Sequence, residues 1–486
     1  MLSFLRARAA PPPPPSPLRE WSWSGDALSL QFDASLAGAI IAIDLDGEFF
    51  ASTRADVDGN ALFAFAFSPS GGATASITPR RDRRGDALAE KPLAIRFGTA
   101  GLATEQSPHA LQPVGRTTPD VDVAAVDVAV VIPVYDAPAL VERCIESVLA
   151  HTTGRARLIL IDDASRDPAI APLLARYASR ASIAVLSNAE NRGFTATANR
   201  GIAQAGRADV VLLNADAEVG PNWLTGLRRA AACGADVATV TAVSDNAGAF
   251  SVPELEHENQ WPSRWSFEQA ARALWHDAGT AYPELPTGNG FCMYIRRAVL
   301  DEVGTLDEAA FPHGYGEEND FCQRASAQGY RHLIAGNVYV RHERSASFGH
   351  ERRAKLGEAG MAVLRERWPN YERDVGATLF SFERRVLDWR VRHIFASANT
   401  QLPRLRVLTV GGSDGESLPQ EESVLARWLQ ARAFDAIVSV GPSSDALARI
   451  ASRVGIPFGA ARPGEDVDHC AERAIASART FRDDLQ

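Results

Sequence analysis

"VVLLNADAEVGPNWL", residues Val210 to Leu224, runs from four apolar residues straight into Asn214, Asp216 and Glu218, with a helix expected to open at Pro221. An all-apolar strand of this kind is buried on both faces, as in a parallel sheet covered by helices. One carboxylate at the mouth of such a strand is ordinary. Two of them beside an asparagine point to something cationic held at the sheet's edge.

The same alternation repeats outward from that strand. "VAVVIP" begins at Val128 and is followed by a helical stripe of Leu140, Val141, Cys144, Ile145, Val148 and Leu149, introduced by Asp136 and Pro138. "RLILI" is the next strand, then a helix with Ile170, Leu173, Leu174 and Tyr177 on one face, then the strands "IAVL" and "DVVLL". Apolar strands alternating with amphipathic helices predict an α/β domain with a Rossmann-like, mostly parallel sheet. Ligands of such sheets bind outside the carboxyl ends of the strands. The residues just past four successive strands are Pro133 to Asp136, Asp162 and Asp163, Asn188, and Asn214 to Asp216. Tyr135, Asp163, Asn188 and Asp216 are therefore expected on one rim.

Five segments are expected in all. Residues 1–19 form a Pro-rich tail, stiffened by Pro11–Pro17. Residues 20–112 read as a β-sandwich-like accessory domain, with period-two runs such as "LSLQF", "AIIAIDLDGEFFAST" and "ALFAFAF". Residues 124–370 hold the α/β domain, and residues 371–402 a connecting helix from about Leu379 to Ala396. Residues 403–486 form a small α/β domain with the strands "RLRVLTVGG", "FDAIVSVG" and "IPFGAA".

A net charge of −10 argues against a broad nucleic-acid surface. The five cysteines are scattered with no CxxC pair, which predicts neither a zinc site nor a disulfide framework and suits a reducing cytoplasm. No apolar run approaches the roughly 20 residues of a membrane span, and the amino terminus lacks the apolar core of a signal peptide. Of the nine tryptophans, Trp21, Trp23, Trp261 and Trp265 could stack on sugars, with core or lid packing as the default reading.

The turn after "VAVVIP" is "VYDAP", without the glycines of a dinucleotide fingerprint, and no Walker-type phosphate loop occurs. A diphosphate would then be gripped through a divalent cation on carboxylate oxygens, with Asp216 the best candidate. "VAVVIPVYDAPALVERCIESVLAHT", "LILIDDASRD", "NAENRGFTATANRGI", "VVLLNADAEVGPNWL" and "GYGEENDFCQRASAQGY" follow one another in that order. Together they resemble family 2 glycosyltransferases of the bacterial polysaccharide type, with the GT-A fold. The resemblance runs from about Val126 to Pro369.

That resemblance implies a metal-dependent, inverting transfer of a sugar from a nucleoside diphosphate donor, a UDP- or dTDP-sugar, to a hydroxyl of a glycan or lipid-linked acceptor. Pro133, Tyr135, Asp162, Asp163, Asn188, Arg192, Gly193, Asn214 and Asp216 would bind the nucleotide sugar, with Asp163 accepting from the base and Asn191 beside it. Asn214-Ala215-Asp216 stands in place of an Asp-x-Asp motif, so Asp216 alone carries its metal contact. His342, expected just after a strand, would complete the shell of Mg²⁺ or Mn²⁺. Glu318 would be the base that deprotonates the acceptor, with Glu317 as its rival and Asp320 positioning the acceptor or loop. Gly288, Asn289 and Gly290 would let backbone approach the acceptor. The setting implied is cytoplasmic, with peripheral association at the inner membrane. Two other classes compete: a sugar-1-phosphate nucleotidyltransferase, which would need a Gly-rich basic loop after the first strand, and a non-catalytic carbohydrate-binding scaffold.

Overall fold

The computed structural model describes residues 16–23, 27–64, 74–82, 85–96, 122–280, 282–312, 314–343, 350–379, 381–398, 402–411, 418–419, 421–430, 432–441 and 445–482. Most of the Pro-rich tail and the end of "ALFAFAF" lie outside these residues. The described residues fall into two compact units, one within residues 1–111 and one within 112–486.

The first unit is all β. Strands β1 (Leu18–Trp23), β2 (Ala27–Phe32) and β5 (Asn60–Ala64) form one antiparallel sheet. β4 (Glu48–Arg54), β3 (Ile40–Leu45), β6 (Thr74–Arg81) and β7 (Leu93–Arg96) form a second. Leu28, Leu30, Phe32, Ile41, Ile43 and Ile77 are buried, as alternation on strands with one covered face requires.

The second unit is built on an eight-stranded sheet. Its elements in chain order are β8 (Val128–Val134), α1 (Pro138–His151), β9 (Ala156–Asp162), α2 (Ile170–Ala175), β10 (Ile183–Ser187), α3 (Phe194–Gln204), β11 (Asp209–Leu213), β12 (Ala217–Val219), α4 (Trp223–Ala231), β13 (Val237–Ser244), α5 (Phe267–Asp277), β14 (Cys292–Ile295), α6 (Arg297–Val303), α7 (Glu317–Ser326) and β15 (Arg331–His342). The strand order is β10-β9-β8-β11-β14-β13-β15-β12. The first four strands are parallel; β14 and β12 run antiparallel to their neighbours.

β8 shows why the sheet is covered twice. Val128, Val130, Ile132 and Val134 enter one core with Val141, Cys144 and Ile145 of α1 and Leu224 and Leu227 of α4. Ala129 and Val131 enter the other, with Ala198 and Ile202 of α3 and Phe321 of α7. On that second face a Cβ at Gly201 would lie 2.2 Å from the Val131 side chain, so α3 can sit this close only with glycine there.

The opening stretch departs from its expected form in one respect. Between the strand and the helix lies β12, three residues paired antiparallel with the end of β15, placing Ala217 opposite His342. His342 accordingly ends β15 instead of following it.

α8 (His350–Arg367), α9 (Tyr371–Leu379) and α10 (Phe382–Ser397) come next. The connecting segment is therefore two helices: Ser381 caps α10 by accepting from the Arg384 backbone N–H, and Leu379 belongs to α9. The final elements are β16 (Val407–Val410), α11 (Glu422–Gln430), β17 (Ala436–Ser439), α12 (Asp445–Arg453), β18 (Phe458–Ala460) and α13 (Val467–Ala478), with a small parallel sheet β16-β17-β18.

Asp435 ties this last sheet to the large one. Its buried carboxylate accepts from Arg272 (2.8 Å) and His276 (2.6 Å) of α5, from Asn222 (3.0 Å) before α4, and from the Arg406 backbone N–H (2.8 Å). Burial raises its pKa, but the bond from His276 and the charges of His276 and Arg272 outweigh that and hold it below the usual carboxylate range. A depressed carboxylate stabilises the fold above its unfolded pKa of about 4, and the contribution is lost as pH falls through the lower folded value. Asp435→Ala strands these buried donors and is expected to cost about 3–5 kcal/mol. The check is a fall in the urea midpoint at pH 7; a midpoint equal to wild type would refute the assignment.

Candidate active site

The carboxyl ends of β8, β9 and β11 open into a cavity of about 370 Å³, within the range of small-molecule sites. At the end of β8, Pro133 and Tyr135 line it, and the chain leaves through Asp136 and Ala137, both at φ near +55°. Non-glycine residues hold that conformation only when neighbours enforce it. Here Asp136 accepts from the Arg166 and Asp167 backbone N–H groups (2.7 and 2.9 Å).

At the end of β9 the two aspartates do different work. Asp162 accepts from the Ser165 N–H (2.9 Å) and lies outside the cavity lining. Asp163 lines the cavity and is buried. One of its oxygens accepts from Asn188 (2.6 Å) and the Arg192 N–H (2.9 Å), the other from the Gly193 N–H (2.9 Å). Three of about four acceptor positions on the carboxylate are thus filled, leaving room for one further donor. Asn188 stands behind Asp163, bonded also to Thr197 and Arg200, and does not reach the cavity. The Arg192 side chain is half exposed beside Glu308, at 3.9 Å, whereas Asn191 and Gly193 do line the cavity.

At the end of β11, Asn214, Ala215 and Asp216 line the cavity and meet His342 from β15. Asp216 Oδ1 is 3.4 Å from His342 Nε2, and Asn214 Nδ2 is 3.3 Å from the same nitrogen. His342 Nδ1 sits 2.9 Å from the Asn246 carbonyl, which suits an Nδ1–H donor and turns Nε2 toward Asp216. Its ring stacks on Phe291 at 5.1 Å, and its backbone N–H donates to Asp245 (2.9 Å). Such outer contacts are what orient a metal-ligating histidine.

Two donors 3.4 Å apart suit adjacent ligands of one ion, which at about 2.1 Å from the metal stand roughly 3 Å apart. The carboxylate and imidazole pair therefore fits Mg²⁺ or Mn²⁺. Among the described residues no group of three His, Cys, Asp or Glu is placed to hold a metal ion, so an ion on this pair would need further oxygen ligands.

Across the cavity, Glu317 and Glu318 begin α7 behind Gly316, whose φ is +135°. Burial, the neighbouring charge and a shared hydrogen bond push Glu317 well above the usual carboxylate range. Burial also raises Glu318, but backbone donors and the bond from Glu317 offset part of it. Both carboxyls are pushed up, Glu317 further than Glu318, which makes Glu318 the better placed of the two to act as a base. Asp320, on the same helix, is fully buried behind them. It is bonded by Arg324 (2.9 Å), Arg367 (3.2 Å) and Trp368 (3.0 Å), and so holds α7 against α8 instead of facing the cavity.

Asn289 and Gly290 line the cavity, whereas Gly288 lies behind, against Met293 and Cys322. Trp265 is buried, and Trp261 packs edge-on against Phe267 and Tyr339. Sequence reading did not single out Phe194, Phe291, Tyr315 or Leu356, which also line the cavity. Phe194 and Phe291 each follow a glycine already assigned to the site; Leu356 carries no local signal.

Residues 129–304 match the family model described as glycosyl transferase family 2. An uncharacterized protein of Sinorhizobium fredii, y4gI, is 23% identical over 261 residues, half of this chain; the chain spans 28% of that protein's length. Among solved structures, the mannosyltransferase PcManGT from Pyrobaculum calidifontis in complex with GDP-Man and Mn²⁺ is similar. It shows 17% identity, coverage of 56% of this chain and 75% of that one, and a TM-score of 0.37. GalNAc-T7 with UDP, GalNAc and Mn²⁺ shows 16% identity, 58% and 59% coverage and a TM-score of 0.40. No helix among the described residues is long and apolar enough to cross a membrane.

Proposed function

From the premise that this chain carries a glycosyl transferase family 2 domain, we propose that its cavity transfers a sugar, with inversion, from a nucleoside diphosphate donor to an acceptor hydroxyl. One observation carries the reading: Asp163, Asp216, His342, Glu317 and Glu318, far apart in sequence, line a single cavity. Tyr135 and Asp163 hold the base, and the one acceptor position left on Asp163 suits the single ring N–H of uracil or thymine. Asp216 and His342 would hold Mg²⁺ or Mn²⁺, which when bound offsets charge on the departing diphosphate. Glu318 takes the acceptor's proton as its oxygen attacks the anomeric carbon. Glu317 keeps its own proton and steadies the Glu318 carboxylate. The acceptor is a glycan or a lipid-linked sugar of bacterial polysaccharide assembly, met at the cytoplasmic side of the inner membrane. The domain divisions at residues 112, 124, 370 and 403 belong to the same proposal, as do the partner roles of Arg192 and Asn188 behind the base.

A panel of nucleotide sugars assayed for transfer with and without EDTA tests this. The expected result is turnover of a UDP- or dTDP-sugar that stops when the cation is chelated. Tight sugar-nucleotide binding indifferent to divalent ions, with no turnover, would overturn it.

The Glu317–Glu318 pair gives a pH signature. A base with a raised pKa loses activity as pH falls through that value, so the acid limb of kcat/KM should lie above the ordinary glutamate pKa of about 4.3. Because the bond from Glu317 lowers the Glu318 pKa, Glu317→Ala should move the limb to higher pH, and Glu317→Gln, which keeps a donor, should restore most of it. A shift to lower pH in Glu317→Ala would make Glu317 the charged member.

A further inference from the structure

The stretch "TAVSDNAGAFSVPEL", Thr241 to Leu255, leaves the end of β13 and folds into a knot of short bonds beside His342. The Ala247 N–H donates to Ser251 Oγ (2.9 Å), the Asn246 N–H to Ser244 Oγ (3.1 Å) and the Val252 N–H to the Ser244 carbonyl (2.9 Å). Two groups of this knot meet His342. The Asn246 carbonyl faces Nδ1, and Asp245 accepts from the His342 backbone N–H and from the Ser244 hydroxyl (2.9 Å). The direction of the imidazole toward Asp216 therefore depends on where the knot sits.

A helix much later in the chain fixes the knot. Arg384, fully buried in the first turn of α10, donates to the Ala249 carbonyl (2.5 Å) and to the Ser251 carbonyl (2.6 Å). Asp388, one turn on, accepts from the same guanidinium at 3.0 and 3.1 Å, so the fork is held in place where it meets the loop. A planar fork can grip two carbonyls at a set separation, which a flexible ammonium does not. The helix is itself seated on the strand that carries His342: a Cβ at Gly336 of β15 would lie 2.4 Å from the Leu387 side chain. Ala247, Phe250 and Val252 share one buried core with Leu387 and Val391. A buried ion pair gains little stability over apolar packing; what this one adds is a defined place for two loop carbonyls.

We propose that Arg384 is a positioning residue for His342: through the Ala249 and Ser251 carbonyls it sets the knot, and the knot aims Nε2 at the cation site. This rests on the metal role given above to Asp216 and His342. It gives α10, which lies past the residues 129–304 matched by the family model, a part in that site.

Mn²⁺ binding to the full chain in the presence of UDP, followed by electron paramagnetic resonance, tests it without turnover. Arg384→Met/Asp388→Leu removes both charges together and so strands neither. It should weaken Mn²⁺ about tenfold, the lower end for losing a contact that orients a metal-ligating histidine. Arg384→Lys, which keeps the charge opposite Asp388 but loses the fork, should weaken it less. Ser251→Ala, which removes the acceptor of the Ala247 N–H, should act in the same direction, and it carries the test if melting curves show the α10 double variant unfolded. In a His342→Ala background neither change should weaken binding further, because residues that act through one group are not additive. Unchanged binding in folded variants, or losses that multiply with that of His342→Ala, would overturn the proposal and leave Arg384 as a contact of the fold alone. Wild-type Mn²⁺ binding in His342→Ala would remove the metal role of His342 itself and this proposal with it, so the two failures are told apart.

Discussion

Glu318→Gln is expected to lower kcat by about 10²–10⁴-fold, the range for loss of a positioned general base, while donor affinity stays within about twofold of wild type. Glutamine is nearly isosteric with glutamate and can still accept from the backbone donors near Gly290 and Gly316 that meet Glu318. What it cannot do is take a proton. Donor affinity should be spared because the groups assigned to base and diphosphate, Asp163 and Asp216, come from the ends of β9 and β11, whereas Glu318 begins α7. Single-turnover transfer and calorimetric titration of a UDP- or dTDP-sugar separate the two effects. Wild-type turnover in Glu318→Gln would remove the base assignment, and a matched loss of donor binding would relocate Glu318 to the donor side. Glu317→Gln provides the contrast: with a donor retained at that position, its loss of kcat should be much smaller.

The difference in what the sequence disclosed about Asp216 and about Asp320 has a physical origin. Asp216 could be found because a buried parallel strand must be apolar along its length, so the first polar residues after Leu213 mark the rim of the sheet. The same rule located Asp163 after β9 and Tyr135 after β8. It could not separate Asp162 from Asp163, since adjacent residues at a strand end point in different directions and only the fold shows which one meets Gly193. Asp320 sits in the same acidic run as Glu317 and Glu318. Its neighbours Arg367 and Trp368 come from the far end of α8, 47 and 48 residues away, and no local pattern announces that contact. The anchoring of the last sheet by Asp435 was hidden for the same reason, because Arg272 lies 163 residues earlier. Short β12 was hidden by its length: three residues cannot show a period, and only pairing with β15 makes them a strand.

β12 matters because it brings Asp216 and His342 together, and that sets the expectation for Asp216→Ala. Transfer should fall by on the order of 10²–10³-fold or more, the equivalent of the several kcal/mol that a bound ion contributes to a phosphate leaving group. The residual rate should barely respond to added Mn²⁺. The carboxylate is the one charged donor among Asn214, Asp216 and His342, so its removal leaves a neutral imidazole and an amide, a poor set for a hard divalent ion. His342→Ala keeps the charge and should be milder, raising the Mn²⁺ concentration for half-maximal rate while leaving a substantial maximal rate. Asp216→Asn should resemble Asp216→Ala more than His342→Ala, since shape is kept but charge is lost. Mn²⁺ binding in the presence of UDP, followed by electron paramagnetic resonance, gives a readout that does not require turnover. If Asp216→Ala bound Mn²⁺ as wild type does, the cation would be held elsewhere. The pairing of Asp216 with His342 would then be a structural contact where β12 pairs with the end of β15.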